Sequence, residues 1–197
     1  MNHHQPDWYT KTIDAFASYK RMIDGCVEQL SDQELTARPI EEMNSVATLL
    51  RHLGGNLKSR FSDFLTTDGE KADRDRELEF ADWEGDRESL VAYFNEGWKT
   101  LTNTLESLGE EDLEREVLIR GEAHTVAQAL LRAVTHVAYH AGQIALIARM
   151  VHQSEWKWLT VEPGGSARHN RETWGTAASR SVFGSEGSVP IREEKAR

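Results

Sequence analysis

A long amphipathic helix is the strongest structural pattern in this sequence. The segment TVAQALLRAVTHVAYHAGQIALIARMVHQ, residues 125–153, repeats apolar residues at alternating intervals of four and three positions. Such spacing places them on one face of an α-helix, as in a helical bundle. Thr125 is the predicted N-cap, because its hydroxyl can accept a backbone N–H of the first turn.

Three further segments carry the same periodicity. They are predicted at about residues 8–30, at 46–65 after an N-cap at Ser45, and at 87–108, where Gly109 favours a C-terminal stop. Gly54 and Gly55 interrupt the second segment, but its apolar stripe continues in phase, so one continuous helix is predicted. Small residues at this point would let another helix or a ligand approach closely.

The remaining segments predict how the helices are connected and where the bundle ends. EREVLIRGEAHTV, residues 114–126, favours a small hairpin, and the acid-rich stretch 68–88 predicts a solvated connection. After residue 154 the helical periodicity is lost. We therefore predict an all-α fold: a four-helix bundle over residues 1–154, with the hairpin before its last helix. An irregular C-terminal extension, residues 155–197, is predicted to pack on the bundle and to end in a mobile tail.

Composition limits the classes of function. The net charge of −10 argues against nucleic acid as a partner, because phosphates favour clustered Lys and Arg. No apolar run approaches the roughly 18 residues that suggest a membrane span, and the N-terminus lacks the pattern of a secretory signal. The single cysteine, Cys26, is predicted to be a buried apolar residue rather than a reactive thiol. These features predict a cytoplasmic protein with no nucleic-acid or membrane partner.

Two histidines stand one turn apart on the last predicted helix. His136 and His140 are separated by about 40° around the helix axis. Imidazoles at this spacing can bind one ion, as in many zinc sites. Two partly buried, hydrogen-bonded helix histidines would give the same pattern, so the pair alone leaves both interpretations open.

A third histidine lies at a related position on the second helix. SVATLLRH, residues 45–52, and TVAQALLR, residues 125–132, both begin with a hydroxyl cap followed by Val-Ala. Counted from the caps, His52 and His136 are one turn apart on the same face. If these helices pack side by side, the imidazoles of His52, His136 and His140 can converge on one ion and leave coordination positions open.

Several other polar residues are weaker candidates. Asn56 and Gln143 are placed to orient a ligand or a metal-bound water, and Arg132 to hold an anionic substrate, although ordinary packing or a surface salt bridge accounts for them equally well. The other helix-flanking and tail histidines are predicted to lie outside the site; they are His3, His4, His124, His152 and His169.

The motifs LLRHLGGN (49–56) and HVAYHAGQIALI (136–147) resemble those of the DinB/YfiT-like superfamily, and the resemblance covers residues 8–152. It implies an up-down-down-up four-helix bundle and a homodimer. It also implies a divalent ion, zinc or nickel, held at the matching positions His52, His136 and His140. Some members transfer low-molecular-weight thiols such as bacillithiol, mycothiol or glutathione to small electrophiles.

Two functions follow from these expectations. The first is a metal-dependent enzyme that transfers a thiol to a small molecule or hydrolyses it. The second is a non-catalytic metal-binding protein that acts in stress response or binds a small ligand. A closed four-ligand site would favour the second, whereas three protein ligands and an open position would favour the first. The sequence supplies no convincing fourth ligand.

Overall fold

The computed structural model describes residues 7–173. The chain forms two compact units, residues 1–157 and residues 158–197, and each is described by itself. The described residues are mostly helical with one two-stranded sheet, in agreement with the all-α prediction. His3, His4 and the predicted mobile tail lie outside the described residues.

Four long helices make up most of the first unit, and they confirm the four predicted helical segments. α3 packs against α5 and α6, and α1 packs against α6. The apolar stripe of α6 is buried at Val137, Ala141 and Ile144. In chain order the helices of this unit are α1 (Asp7–Gln29), α2 (Asp32–Thr36), α3 (Val46–Phe61), α4 (Arg76–Phe80), α5 (Arg87–Ser107) and α6 (Val126–Val151).

Side chains at both predicted positions cap the helices that carry the histidines. The hydroxyl of Ser45 accepts a hydrogen bond from the backbone N–H of Thr48 at the start of α3. At the start of α6, Thr125 and Gln128 form a reciprocal capping box. A cap fixes the residue at which a helix begins, and so it fixes how far along each helix the later histidines lie.

Helix α3 ends earlier than its apolar pattern predicts. The stripe predicted a helix to about residue 65, but the last helical residue is Phe61. Ser62 has extended backbone, and Asp63 has a left-handed φ of 46°. Phe64 is nevertheless buried, with its ring centroid 5.2 Å from that of Phe61. Since the turn brings Phe64 to the same core as another helical turn would, periodicity alone overestimates the length of α3.

The two glycines of α3 mark close approaches rather than a break, so the predicted continuity of this helix is confirmed. A Cβ added at Gly97 of α5 would lie 2.9 Å from the Cα of Gly54, so the backbones of α3 and α5 touch there. A Cβ added at Gly55 would lie 2.9 Å from the carboxyl carbon of Glu79. Each glycine costs about 1 kcal/mol in a helix interior, and the close packing that it permits offsets this cost.

The predicted hairpin is present as β1 (Glu116–Ile119) and β2 (Glu122–Thr125), which pair in antiparallel register. Its two turn residues, Arg120 and Gly121, have positive φ angles of 58° and 77°, as tight antiparallel hairpins require. The carboxylate of Asp68 accepts hydrogen bonds from both turn N–H groups, at 2.8 and 2.7 Å. The hairpin is therefore tied to the segment that follows α3.

Most of residues 68–88 are exposed, as the predicted solvated connection requires, but the stretch is not solvated throughout. This stretch contains α4, in which Glu79 is only 4 % exposed. Arg74 donates to both carboxylate oxygens of Glu79, at 2.8 and 2.7 Å. After α4, the carbonyl of Asp82 accepts a hydrogen bond from Arg51 of α3 at 3.2 Å. Because opposite charges within the stretch neutralise each other, part of it can be buried despite its composition.

The second unit includes α7 (Ser166–Thr173), which follows a turn at Gly164 with a φ of 79°. The extension that the sequence predicts to be irregular therefore contains one short helix. Its boundary at residue 154 and its packing on the bundle stay predictions. Across residues 7–173, every helix is too short or too polar to cross a membrane.

Candidate metal centre

The two histidines of α6 face each other across one helical turn. His136 and His140 have ring centroids 4.6 Å apart and Nε2 atoms 3.1 Å apart. His140 is 7 % exposed and His136 is half-buried. The four-residue spacing therefore directs both Nε2 atoms to one point, as the sequence predicts.

His52 of α3 meets this pair from the neighbouring helix. Its ring is buried, and its Nε2 lies 3.2 Å from the Nε2 of His136. The three histidines form a group that could hold a metal ion, with ligand atoms all within 4.8 Å of one another. Nitrogens bound tetrahedrally to one zinc at about 2.05 Å would be about 3.3 Å apart. The spacings to His136 in this cluster are close to that value.

The hydrogen bonds behind the rings determine which nitrogens carry lone pairs. The Nδ1 of His52 lies 3.0 Å from a carboxylate oxygen of Glu79, and the Nδ1 of His140 lies 2.8 Å from the amide oxygen of Gln143. Both partners accept hydrogen bonds, so both Nδ1 atoms are assigned as N–H donors, and both Nε2 atoms carry lone pairs.

With this tautomer assignment, the three facing Nε2 atoms carry too few N–H groups to hydrogen-bond to one another. The Nε2 of His136 is in contact with two lone pairs, and a single N–H can point along only one of the two contacts. At least one nitrogen pair therefore meets without a good hydrogen bond, which is unfavourable at a buried position. A cation that accepts all three lone pairs removes this conflict, so the arrangement fits a metal ion better than it fits three ordinary hydrogen-bonded histidines.

The charge state of the cluster also suits a metal. Burial, together with the neighbouring His140 and His52, lowers the pKa of His136 to about 3. Burial and His52 likewise lower the pKa of His140 to about 4, although the hydrogen bond with Gln143 opposes the shift. Both imidazoles are therefore neutral at neutral pH, which is the form that coordinates a metal.

Glu79 and Arg74 form the support behind His52. Burial alone would raise the pKa of Glu79, but hydrogen bonds from Arg74 and His52 outweigh burial and hold that pKa below its ordinary value. The ionised carboxylate fixes the orientation of the His52 ring. Phe80, the next residue of α4, stacks on the same ring with centroids 4.5 Å apart.

Sequence reasoning missed this support because it treated residues 68–88 as solvent-exposed. One feature of the sequence indicates the short helix, and another indicates the space that Glu79 occupies. Asp75 is an N-cap residue followed by acidic residues in the first turn, and its side chain accepts from the N–H of Leu78. Gly55, one turn after His52 on α3, is the residue whose missing side chain makes room for Glu79.

The histidines line a cavity of about 490 Å³. Asn56 and Arg132, both predicted as possible ligand-binding residues, line this cavity. Gln143 acts instead through its hydrogen bond to His140. The cavity therefore brings together the three predicted ligands and two of the weaker candidates.

The other candidate residues lie elsewhere. The Nδ1 of His124 lies 3.1 Å from the carbonyl of Glu122 in the hairpin, and His152 caps the end of α6. His169 is in α7 of the second unit. Cys26 is fully buried, and burial raises the pKa of its thiol to about 12. The prediction that Cys26 is a structural residue is confirmed.

The fold and the cluster together define a mostly helical protein whose three histidines could hold a metal ion. The chain belongs to the protein family of unknown function DUF1572, which matches residues 4–165. This range includes all three histidines and the whole of α1 to α6. No curated protein and no solved structure matches the chain. The function must therefore be inferred from the site.

Proposed function

We propose that this protein is a metal-dependent enzyme in which His52, His136 and His140 hold one divalent ion, zinc or nickel. In this proposal the long helices form a DinB/YfiT-like four-helix bundle of up-down-down-up topology. The observation that carries the proposal is the set of three Nε2 atoms that meet at one point and line a cavity. Imidazole nitrogens are common ligands of both metals.

The geometry favours catalysis over a purely structural metal. Among the described residues, the group of potential ligands comprises three histidines and no fourth side chain. The nearby carboxylate of Glu79 is already paired with His52 and Arg74. Three protein ligands leave at least one coordination position for water or substrate, which is typical of catalytic sites. A closed four-ligand site would instead have favoured the non-catalytic alternative.

Each supporting residue has a definite task in this site. Glu79 and Gln143 keep the Nδ1–H tautomers of His52 and His140, so that their Nε2 lone pairs point into the cluster. Arg74 holds Glu79 in place. Hydrogen bonds of this kind orient metal ligands and raise their basicity. When bound, the ion supplies Lewis-acid chemistry, either by activating water for hydrolysis or by stabilising a thiol as its thiolate.

Elemental analysis of protein purified without an affinity tag is the first test. We expect about one divalent ion per chain in the wild type. We expect none in the double variant His136→Ala with His140→Ala, because a single remaining imidazole binds weakly. His124→Ala, which removes a half-buried histidine of the hairpin from outside the cluster, is the matched control and should keep its metal. One ion per chain in the double variant would refute the three-histidine site.

The reaction is tested with zinc- and nickel-loaded protein. Low-molecular-weight thiols are supplied with small electrophiles, and hydrolysable small molecules are supplied without a thiol. Turnover that depends on the metal and is lost in the double variant supports the enzyme. Stoichiometric metal without turnover on either panel would favour the non-catalytic metal-binding protein. The homodimer implied by the resemblance stays a prediction, which light scattering coupled to size exclusion measures directly.

A further inference from the structure

Five arginines line the same cavity as the three histidines, and none of the described acidic residues lines it. The chain as a whole carries a net charge of −10, so the cavity has the opposite sign to the whole chain. The arginines come from four parts of the fold, namely Arg60 at the end of α3, Arg74 and Arg76 at the start of α4, Arg120 in the hairpin turn and Arg132 on α6.

Two carboxylates behind the cavity neutralise part of this charge. Glu70 lies 3.1 Å from Arg74, 3.2 Å from Arg120 and 3.9 Å from Arg60. Glu79 pairs with Arg74 at 2.7 Å. Arg74 is thus fully compensated, whereas Arg60 and Arg120 share a single carboxylate that is also bound to Arg74.

The two remaining arginines of the cavity have no such partner. Arg76 and Arg132 are exposed, and within the described part of the chain no carboxylate lies within ion-pair distance of either. The five guanidinium groups outnumber the two paired carboxylates, even with the longer-range charge of Asp68 that acts on Arg60, so positive charge is in excess in the cavity. Like charges gathered in one concave site repel each other, and they favour the entry of an anion.

Arg60 is a buried arginine whose contact with Glu70, at 3.9 Å, is the longest that this carboxylate makes. It is 7 % exposed, and its buried Nη1 has no hydrogen-bond acceptor. Burial lowers the pKa of Arg60 to about 10; Glu70 opposes this shift, and Arg74, Arg132 and Arg120 add to it. Arg60 therefore stays charged at neutral pH. Leaving a charged donor buried without an acceptor is costly, and this cost adds to the repulsion among the arginines of the cavity.

The excess charge lies beside the candidate metal centre. Arg74 and Arg60 both contribute to the lowered pKa of His136, after burial and the other two histidines. Arg132 is one turn before His136 on α6. One small molecule can therefore contact the arginines with one end and the open metal position with the other.

We propose that the substrate of this site is a small molecule bearing a carboxylate or phosphate group, which the guanidinium groups of Arg60, Arg120 and Arg132 bind while its reactive end faces the histidines. This inference deepens the proposed function and depends on it only for the role of the metal. Arginine binds both oxyanions through paired, charge-assisted hydrogen bonds. The anionic group positions the substrate, and the metal centre supplies the chemistry.

The test is calorimetric titration with two probes, inorganic phosphate and succinate, at low and constant ionic strength, because salt screens such contacts. Metal-free and zinc-loaded proteins are both titrated, so that binding to the arginines is separated from binding to the ion. We expect binding of at least one probe to the metal-free protein. Arg132→Gln and Arg120→Gln should each weaken it about 10-fold or more, the usual size of one charge-assisted contact. The preferred probe identifies the oxyanion as phosphate or carboxylate.

Arg115→Gln is the matched control. It removes the same charge from the residue just before the hairpin, and this residue does not line the cavity. It should leave probe affinity within a factor of about two, since a distant exposed charge contributes little. Circular dichroism confirms that each variant is folded. No binding of either probe at millimolar concentration, or equal binding in the Arg132 and control variants, would overturn the inference. Binding that requires zinc and is unchanged in the arginine variants would overturn the inference about the arginines, but it would not contradict the proposed metal site.

Discussion

The two sides of the candidate metal centre are built in different ways. On the α6 side, His136, His140 and Gln143 all lie within eight residues of one helix, and the amide of Gln143 holds His140. On the other side, His52 comes from α3 and its partner Glu79 from α4, 27 residues further along the chain. One side is a local arrangement on a single helix, and the other exists only when two separate segments pack together.

The chemical character of the two supports differs as well. Gln143 is a neutral acceptor and is partly accessible. Glu79 is a charged acceptor, and its side chain and that of Arg74 are 5 % and 4 % exposed. A buried charge is tolerated only while it is paired. The α3–α4 side should therefore be more sensitive to substitution than the α6 side, and the following predictions test this difference.

The largest effect is expected at the buried ion pair. Glu79→Gln leaves the guanidinium of Arg74 buried with Glu70 as its remaining charged partner. We expect the free energy of unfolding of the metal-free protein to fall by about 3 kcal/mol, the lower end of the range for a broken buried pair. Urea denaturation measures the loss. Glu77→Gln, an exposed change on the same helix, should stay within about 0.5 kcal/mol of the wild type; a similar value for both variants would contradict the prediction.

A smaller effect is expected on metal affinity. Glu79→Gln should weaken zinc binding about 10- to 100-fold, because it removes the charged acceptor that orients His52. Gln143→Ala should weaken it less than about 10-fold, because a neutral hydrogen bond is roughly half as strong. Competition with a chromophoric chelator, on variants shown to be folded, gives both values. If the Gln143 variant binds zinc as weakly as the Glu79 variant, the two supports are equivalent and the comparison fails.

Two glycines extend the same comparison to packing. Gly55→Ala places a methyl group against the carboxylate of Glu79, and overpacking of this kind costs about 1–3 kcal/mol. Around Gly142 of α6 there is open space, so Gly142→Ala should stabilise the protein by up to about 1 kcal/mol through helix propensity. The melting temperature should therefore fall in Gly55→Ala and rise in Gly142→Ala. A lower melting temperature for both variants would show that the α6 side is as tightly packed as the α3–α4 side.

The smallest effect is expected from mild acidification of the metal-free protein. His136 and His140 have pKa values of about 3 and 4 when folded, but about 6.5 when unfolded. Because the unfolded chain takes up protons first, stability is lost as the pH falls below about 6.5 and continues to fall towards pH 4. At pH 6 the loss is under about 1 kcal/mol per histidine. The pKa of Glu79 is held below its ordinary value, so this carboxylate is ionised at pH 6 as it is at pH 7.

Urea denaturation at several pH values measures this dependence. The double variant His136→Gln with His140→Gln lacks both groups, so its stability should change less between pH 7 and pH 6. His124→Gln, in the hairpin and outside the cluster, should keep the wild-type dependence. An unchanged pH profile in the double variant would mean that groups elsewhere in the chain cause the acid sensitivity.

Local patterns in the sequence predicted a large part of this structure. The helices, the caps at Ser45 and Thr125 and the small hairpin depend on hydrophobic period, capping hydroxyls and a glycine turn, all of which act over a few residues. The spacing of His136 and His140 belongs to the same class. Periodicity failed at the end of α3, where a turn buries Phe64 as effectively as a helix would.

The sequence by itself determined the four long helices and the faces that they bury, and it pointed to three histidines that the structure brings together. Only the tertiary structure decided that Glu79 and Arg74 enter the interior and that arginines from four segments line one cavity. The reason is physical. A charged side chain is stable in solvent or in a paired, buried position, and its own sequence neighbours are the same in both cases. The choice depends on partners that the fold brings from elsewhere in the chain.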